Sequence, residues 1–181
     1  MGFVIAALVL VGAVASLNLL LTLGVIRRLR EHTARLAELV AGGGPAPELV
    51  LPAGARPEDF RAETVDGAEV SLASLAAPAL VGFFSPGCEP CREWVPRFLQ
   101  AAGELPHGPA QALAVLVGDA TGMSDELARL RRVAQVVVEP FDGPVSRAFA
   151  VKGWPVLCRL GEDGTITTTD NHAALAAPAR A

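Results

Sequence analysis

Two cysteines separated by two residues, Cys88-Glu89-Pro90-Cys91, stand where the apolar run Ala79-Leu80-Val81-Gly82-Phe83-Phe84 ends and a segment of helical character, Arg92 to Leu105, begins. Strand, turn and helix in that order place the first thiol at a helix N-terminus. Unsatisfied backbone N–H groups and the positive end of the macrodipole there favour thiolate over thiol. The two-residue spacing lets the second thiol reach back and close a disulfide. Such a pair passes two electrons by thiol–disulfide exchange, Cys88 attacking and Cys91 resolving.

Other uses of the pair fit the chain less well. A zinc ribbon needs a second pair of ligands, but the third cysteine, Cys158, is alone and His32, His107 and His172 lie scattered, so no metal site is expected. Attachment of a c-type haem requires histidine after the second cysteine, where Arg92 stands. A purely structural disulfide closing so short a loop gains little from closure entropy. The expected redox group is therefore the cysteine pair itself, with no bound cofactor.

The chain has 181 residues, 51% of them hydrophobic and 19% charged, with a net charge of -4. That length holds one small domain and little else. No basic face suggests nucleic acid, and the absence of tyrosine argues against aromatic binding platforms. The positive mean hydropathy of +0.41 has a local source. Gly2 to Ile26 carries no charge and is long enough to cross a bilayer as a helix, a retained anchor rather than a cleaved leader. Leu29, Leu36, Leu39 and Val40 extend it as a juxtamembrane stalk, giving a first region of 1–40. Residues 41–57, rich in glycine and proline, form the expected linker, and 58–181 the soluble domain. Arg27, Arg28 and Arg30 follow the span and by the positive-inside rule alone would hold that domain in the cytoplasm. A redox pair tethered by a linker makes more sense facing an oxidising exterior, so a single-pass protein with an extracytoplasmic domain is expected.

Within the domain, Glu63 to Leu72 reads as a hairpin turning at Asp66-Gly67, and Pro78 to Phe84 as a strand covered on both faces. Helix Pro90–Leu105, strand Gln111–Gly118, helix Ser124–Arg132 with Ser124 as N-cap, strand Val133–Glu139 and helix Pro144–Val151 follow. Strands Val156–Leu160 and Thr165–Thr169 close the chain around Gly161-Glu162-Asp163-Gly164. Alternating strands and helices with a terminal hairpin predict an α/β sandwich around a central mixed sheet with parallel core strands.

From about Phe60 to Leu175 the chain resembles the TlpA-like group of membrane-tethered, thioredoxin-fold thiol–disulfide oxidoreductases, including the type that accompanies methylamine dehydrogenase maturation. The resemblance rests on Cys88-Glu89-Pro90-Cys91 after a Phe-Phe strand, Pro96 five residues beyond Cys91, Gly153-Trp154-Pro155 before a strand, and Thr64-Val65-Asp66-Gly67 in an N-terminal hairpin. It implies that Pro96 kinks the active-site helix and that Pro155 is a cis proline. Trp154 and Pro155 then shape a groove whose backbone pairs with an extended substrate segment. It also implies disulfide-bearing protein substrates, a membrane-embedded electron donor, and reduction of partner disulfides during redox-enzyme or cytochrome maturation.

Departures from the group's pattern matter equally. The buried acid usual in the strand before the motif is Gly82, the glutamate three residues beyond the second cysteine is Trp94, and the tryptophan before the first cysteine is Gly87. Glu93 is one position early and faces another way on a helix. No obvious general base therefore serves Cys91. Glu89 disfavours the Cys88 thiolate and shifts the couple toward the reducing side. Cys158 reads as a small buried hydrophobe, and Trp94 and Trp154 are candidates for an apolar lip at the disulfide. A redoxin-type peroxidase and a non-catalytic adaptor keeping the thioredoxin shape are the alternatives.

Overall fold

The computed structural model describes residues 48–176 together with Gly12. The expected span (residues 2–26, Gly12 apart), the stalk to residue 40 and the first part of the linker, 41–47, lie outside the described residues. Among those described, no helix is long and apolar enough to cross a membrane. The chain divides into two units after Pro47, and the second, 48–181, carries the cysteines.

Strands β1 (Arg61–Glu63) and β2 (Glu69–Ser71) form the expected hairpin. Gly67 takes φ 78° at its turn, a conformation that glycine adopts at no steric cost. The hairpin is fastened to its neighbour by the Val65 N–H, which donates to the Val136 carbonyl at 2.8 Å. Strand β3 (Ala79–Phe84) leads into helix α1 (Glu89–Gly103), then β4 (Ala112–Val117), α2 (Ser124–Leu130), β5 (Gln135–Glu139) and the short α3 (Pro144–Ala148). Strands β6 (Val156–Leu160) and β7 (Ile166–Thr168) and a closing helix, α4 (Asn171–Leu175), complete the described chain.

The main sheet has the order β5-β4-β3-β6-β7. β3, β4 and β5 run parallel, while β6 is antiparallel to β3 and β7 to β6. Successive residues of β3, β4 and β6 enter two different cores. Val81, Phe83, Leu113, Val115, Val156 and Cys158 face one, with Phe60, Val70 and Phe149. Leu80, Phe84, Ala114, Leu116 and Leu157 face the other, with Cys91, Val95 and Phe98 of α1 and Leu130 of α2. Cover on both sides is why these strands are apolar without alternation.

Two expectations are corrected, and one element is added. The linker does not run to Pro57: Val50 is buried, the Leu51 N–H donates to the Phe149 carbonyl, and the Ile166 N–H donates to the Ala55 carbonyl at 2.8 Å. Residues 48–57 pack as the domain's first segment because their apolar side chains and backbone donors find partners on it. Ser124 is not an N-cap. Asp119 caps a 3-10 turn, Ala120–Met123, that runs straight into α2, so Ser124 already sits inside and its hydroxyl donates to the Thr121 carbonyl. Helix α4 was not foreseen; Asp170 caps it by accepting from the Ala173 N–H at 2.7 Å.

Glu139, 4% exposed at the end of β5, is the most buried carboxylate described. It accepts from the Val145 and Ser146 N–H groups at 2.9 and 2.7 Å, satisfying the first turn of α3. Gly143 leaves the room for it, since a Cβ there would collide with the Glu139 side chain. Gly143→Ala therefore displaces the carboxylate and strands two amide donors, lowering stability by about 2–3 kcal/mol. A fall in the denaturant midpoint at unchanged slope is the expected result; an unaltered midpoint would show that the loop yields freely.

Candidate active site

Cys88 and Cys91 form a disulfide with a Cα–Cα separation of 5.3 Å. Cys88 occupies the N-cap position of α1, and its sulfur accepts from the Cys91 N–H at 3.3 Å. Pro90, in the first turn, has no N–H to leave unsatisfied, so the motif suits a helix start. The two sulfurs differ in exposure. Cys91 is 1% exposed and packed with Val95 and Phe98, whereas Cys88 is half-buried at the surface. That difference suits an outer attacking sulfur and an inner resolving one.

Both cysteines line one cleft of about 230 Å³, closed by Ser85 and Gly87 of the turn, Arg92, Val95 and Pro96 of α1, and Met123, Glu126 and Arg129 from α2 and the turn before it. None of the last three was singled out from sequence. Nothing local marks them, because only the packing of α2 against α1 brings them to the sulfurs. Pro96 sits exposed within α1, where it removes one helical hydrogen bond. Glu89 points to solvent and pairs with Arg92 at 3.4 Å. Its expected effect on Cys88 is accordingly weakened by solvent and by the neighbouring cation.

Gly82 explains the missing buried acid. It lies on the α1 side of β3, where an added Cβ would meet Phe84 at 2.8 Å and Phe98 at 2.9 Å. The two rings pack edge to face, centroids 5.4 Å apart, and fill the place a carboxylate would need.

Pro155 reaches the same end of the sheet from the other side. Phe83 pairs with Val156 across β3 and β6, so Pro155 falls level with Phe84, just before the cysteine turn. The Trp154–Pro155 peptide is cis. Among the described residues no strand continues β7 along the edge of β6 away from β3, and Asn171 takes its place: its Oδ1 accepts from the Leu157 N–H at 2.8 Å and its Nδ2 donates to the Pro155 carbonyl at 3.3 Å. Trp154 packs against both cores and meets Phe141 edge-on at 5.4 Å. Phe141, 65% exposed, reaches over Gly118 beside Pro86 and Ser85, so an open aromatic surface adjoins the cysteine turn. Sequence reasoning missed Phe141 and Asn171, which carry no motif. Trp94 packs against the same core as Cys88 and Trp154 and meets His172 at 4.8 Å, with the Arg97 guanidinium over its ring.

No family model matches this chain, and no curated protein matches it in sequence. Its likeness is to solved structures. The thioredoxin domain of a thiol-disulfide oxidoreductase from Bacteroides vulgatus superposes with a TM-score of 0.55 at 18% identity, over 66% of this chain and 89% of that one. The chain has a thioredoxin-like fold. A thiol:disulfide interchange protein from a Bacteroides species gives 0.54 at 16% identity, covering 66% and 82% of the two chains. A provisionally assigned thiol:disulfide interchange protein DsbE from Chlorobium tepidum gives 0.50 at 23%, covering 70% and 99%. In this chain the architecture is a mixed sheet with Cys88 and Cys91 just beyond the end of its central strand, β3.

Cys158 stands apart from the pair. It is fully buried in the core on the other face of the sheet from Cys91, paired with Val81 across β3 and β6. Desolvation pushes its thiol from 9.0 up to about 12. The folded state thus holds the proton more tightly than the unfolded one, so stability is intact below the unfolded value and is lost as pH rises from 9.0 through about 12. Cys158→Val should reduce this alkaline loss, read as denaturant midpoints across that range. Equal loss in both proteins would place the alkaline instability elsewhere.

Proposed function

We propose that this chain is a membrane-tethered thiol–disulfide oxidoreductase that reduces disulfides of partner proteins through Cys88 and Cys91. The observation that carries the reading is the asymmetric disulfide, one sulfur half-buried at the N-cap of α1 and the other 1% exposed behind it. In the dithiol form the Cys88 thiolate attacks one sulfur of the partner's disulfide, expelling the other as a thiolate and leaving a mixed disulfide. Cys91 then attacks the Cys88 sulfur, releases the partner's second thiolate and re-forms the Cys88–Cys91 bond. The partner gains two electrons and two protons. A thiol donor restores the dithiol, and for a tethered domain a membrane-embedded donor is the fitting source.

Trp154 and Pro155 support a role as the groove for the partner's extended segment, because the sheet register brings them to the end of β3 from which the cysteine turn departs. Glu89, Pro90 and Pro96 shape the helix start rather than touch the partner. The uncharged stretch Gly2 to Ile26 supports the bilayer anchor, with residues 1–40 as span and stalk and a short linker before the packed domain. A tethered redox pair is most useful outside the cytoplasm, which supports an extracytoplasmic domain and a role in maturing a redox enzyme or cytochrome.

Insulin-disulfide reduction under a dithiol donor tests the activity. Wild-type protein should accelerate it, Cys88→Ser should abolish the acceleration, and Cys91→Ser should accumulate a mixed disulfide on non-reducing gels. Iodoacetamide should label Cys88 of the reduced protein before Cys91; the reverse order would exchange the two roles.

Sidedness is tested separately. Protease added to intact spheroplasts should digest the chain beyond Gly42. Protection until lysis would mean that Arg27, Arg28 and Arg30 hold the domain in the cytoplasm.

A further inference from the structure

Resolution of the mixed disulfide needs the Cys91 thiolate, yet Cys91 is 1% exposed among apolar side chains, where solvent is a poor acceptor for its proton. Its proton must go to an acceptor, and on the α1 side of β3 the position without a side chain, Gly82, is closed by Phe84 and Phe98. The neighbouring carboxylates are otherwise committed. Glu89 is 82% exposed and paired with Arg92, Glu93 pairs with Arg97 at 2.6 Å, and Asp119 accepts from the Thr121 N–H and hydroxyl. Glu139 caps α3.

One carboxylate among the described residues lines the cleft that holds both sulfurs: Glu126, half-buried on α2 and without an ion pair. Met123, from the turn ahead of α2, packs in the same core as Cys91, which holds this end of α2 against the start of α1. We propose that Glu126 is the proton acceptor for Cys91, standing in from a neighbouring helix for the acid that Gly82 cannot provide. This rests on the oxidoreductase reading above.

A polar-lined cleft of about 230 Å³ has room for bridging water, so the two groups need not touch. The Cys91 proton passes to the Glu126 carboxylate as the Cys91 sulfur attacks Cys88. The Cys88–partner S–S bond breaks, the Cys88–Cys91 bond forms, and the partner's sulfur leaves with the electron pair. It takes the proton from Glu126, which returns to the carboxylate. The other charged groups facing the cleft are the cations Arg92 of α1 and Arg129 of α2.

The two exchange steps separate when the reduced full-length protein reacts with the neutral disulfide 4,4′-dithiodipyridine. A concentration-dependent burst of thiopyridone reports attack by Cys88, and a concentration-independent second release reports resolution by Cys91. Glu126→Gln should leave the burst unchanged and slow the second release at least about tenfold at neutral pH. The deficit should shrink at alkaline pH, where hydroxide removes the Cys91 proton. Glu93→Gln, the same loss of charge on the outer face of α1, should change neither phase. An unchanged second release in Glu126→Gln, equal slowing of both phases, or the same defect in Glu93→Gln would each overturn the assignment. A wild-type chain that gave no burst would overturn the oxidoreductase reading itself.

Discussion

Burial of β3 on both faces governs how the rest of the site is built. Its six residues are all buried, shared between two cores that lie on opposite sides of the sheet. A strand so placed supplies no polar side chain to the cysteines. What it supplies is a rigid end point, from which the turn Ser85–Cys88 delivers the first sulfur to the N-cap of α1. The thiol–disulfide pair is thereby fixed by backbone geometry and helix capping rather than by a polar network. Of the pair, the inner sulfur alone is buried.

Packing and proton transfer compete for one place. Phe98 closes over Gly82 and meets Phe84 edge to face, an arrangement worth more to a small core than a buried carboxylate, whose desolvation would be costly. The consequence is that any acid serving the inner sulfur must come from the open side of α1. Helix α2 is what lies there.

Buried and half-buried polar groups elsewhere tie loops to the sheet. Glu139 anchors the first turn of α3, the Arg159 guanidinium donates to the Ala174 and Ala176 carbonyls at 2.8 and 2.9 Å, and Asn171 completes the edge of β6 where β7 is too short. Each joins an element to one distant in the sequence or across a loop. Such contacts hold the loops about Pro155 and Phe141 in place without adding to the apolar core.

The cysteine spacing, the doubly apolar strands, the helix start at the cysteine turn and the Asp66-Gly67 turn were all legible in the chain, because each depends on neighbours within a few residues. Cys158 as a core residue was legible too, from its place in an apolar strand. The start of the packed domain was not: residues 48–57 look like a linker by composition, and it takes partners far along the chain, Phe149 and Ile166 among them, to make them part of the fold. Nor could Gly82 be known to exclude an acid sterically, since Phe98 meets it from another element. Met123, Glu126 and Arg129 join the site through the docking of α2, and Asn171 through the shortness of β7. Local periodicity decides which elements form. Which side chains share a cleft is decided by how those elements cross, and that information resides in contacts between residues far apart in the chain.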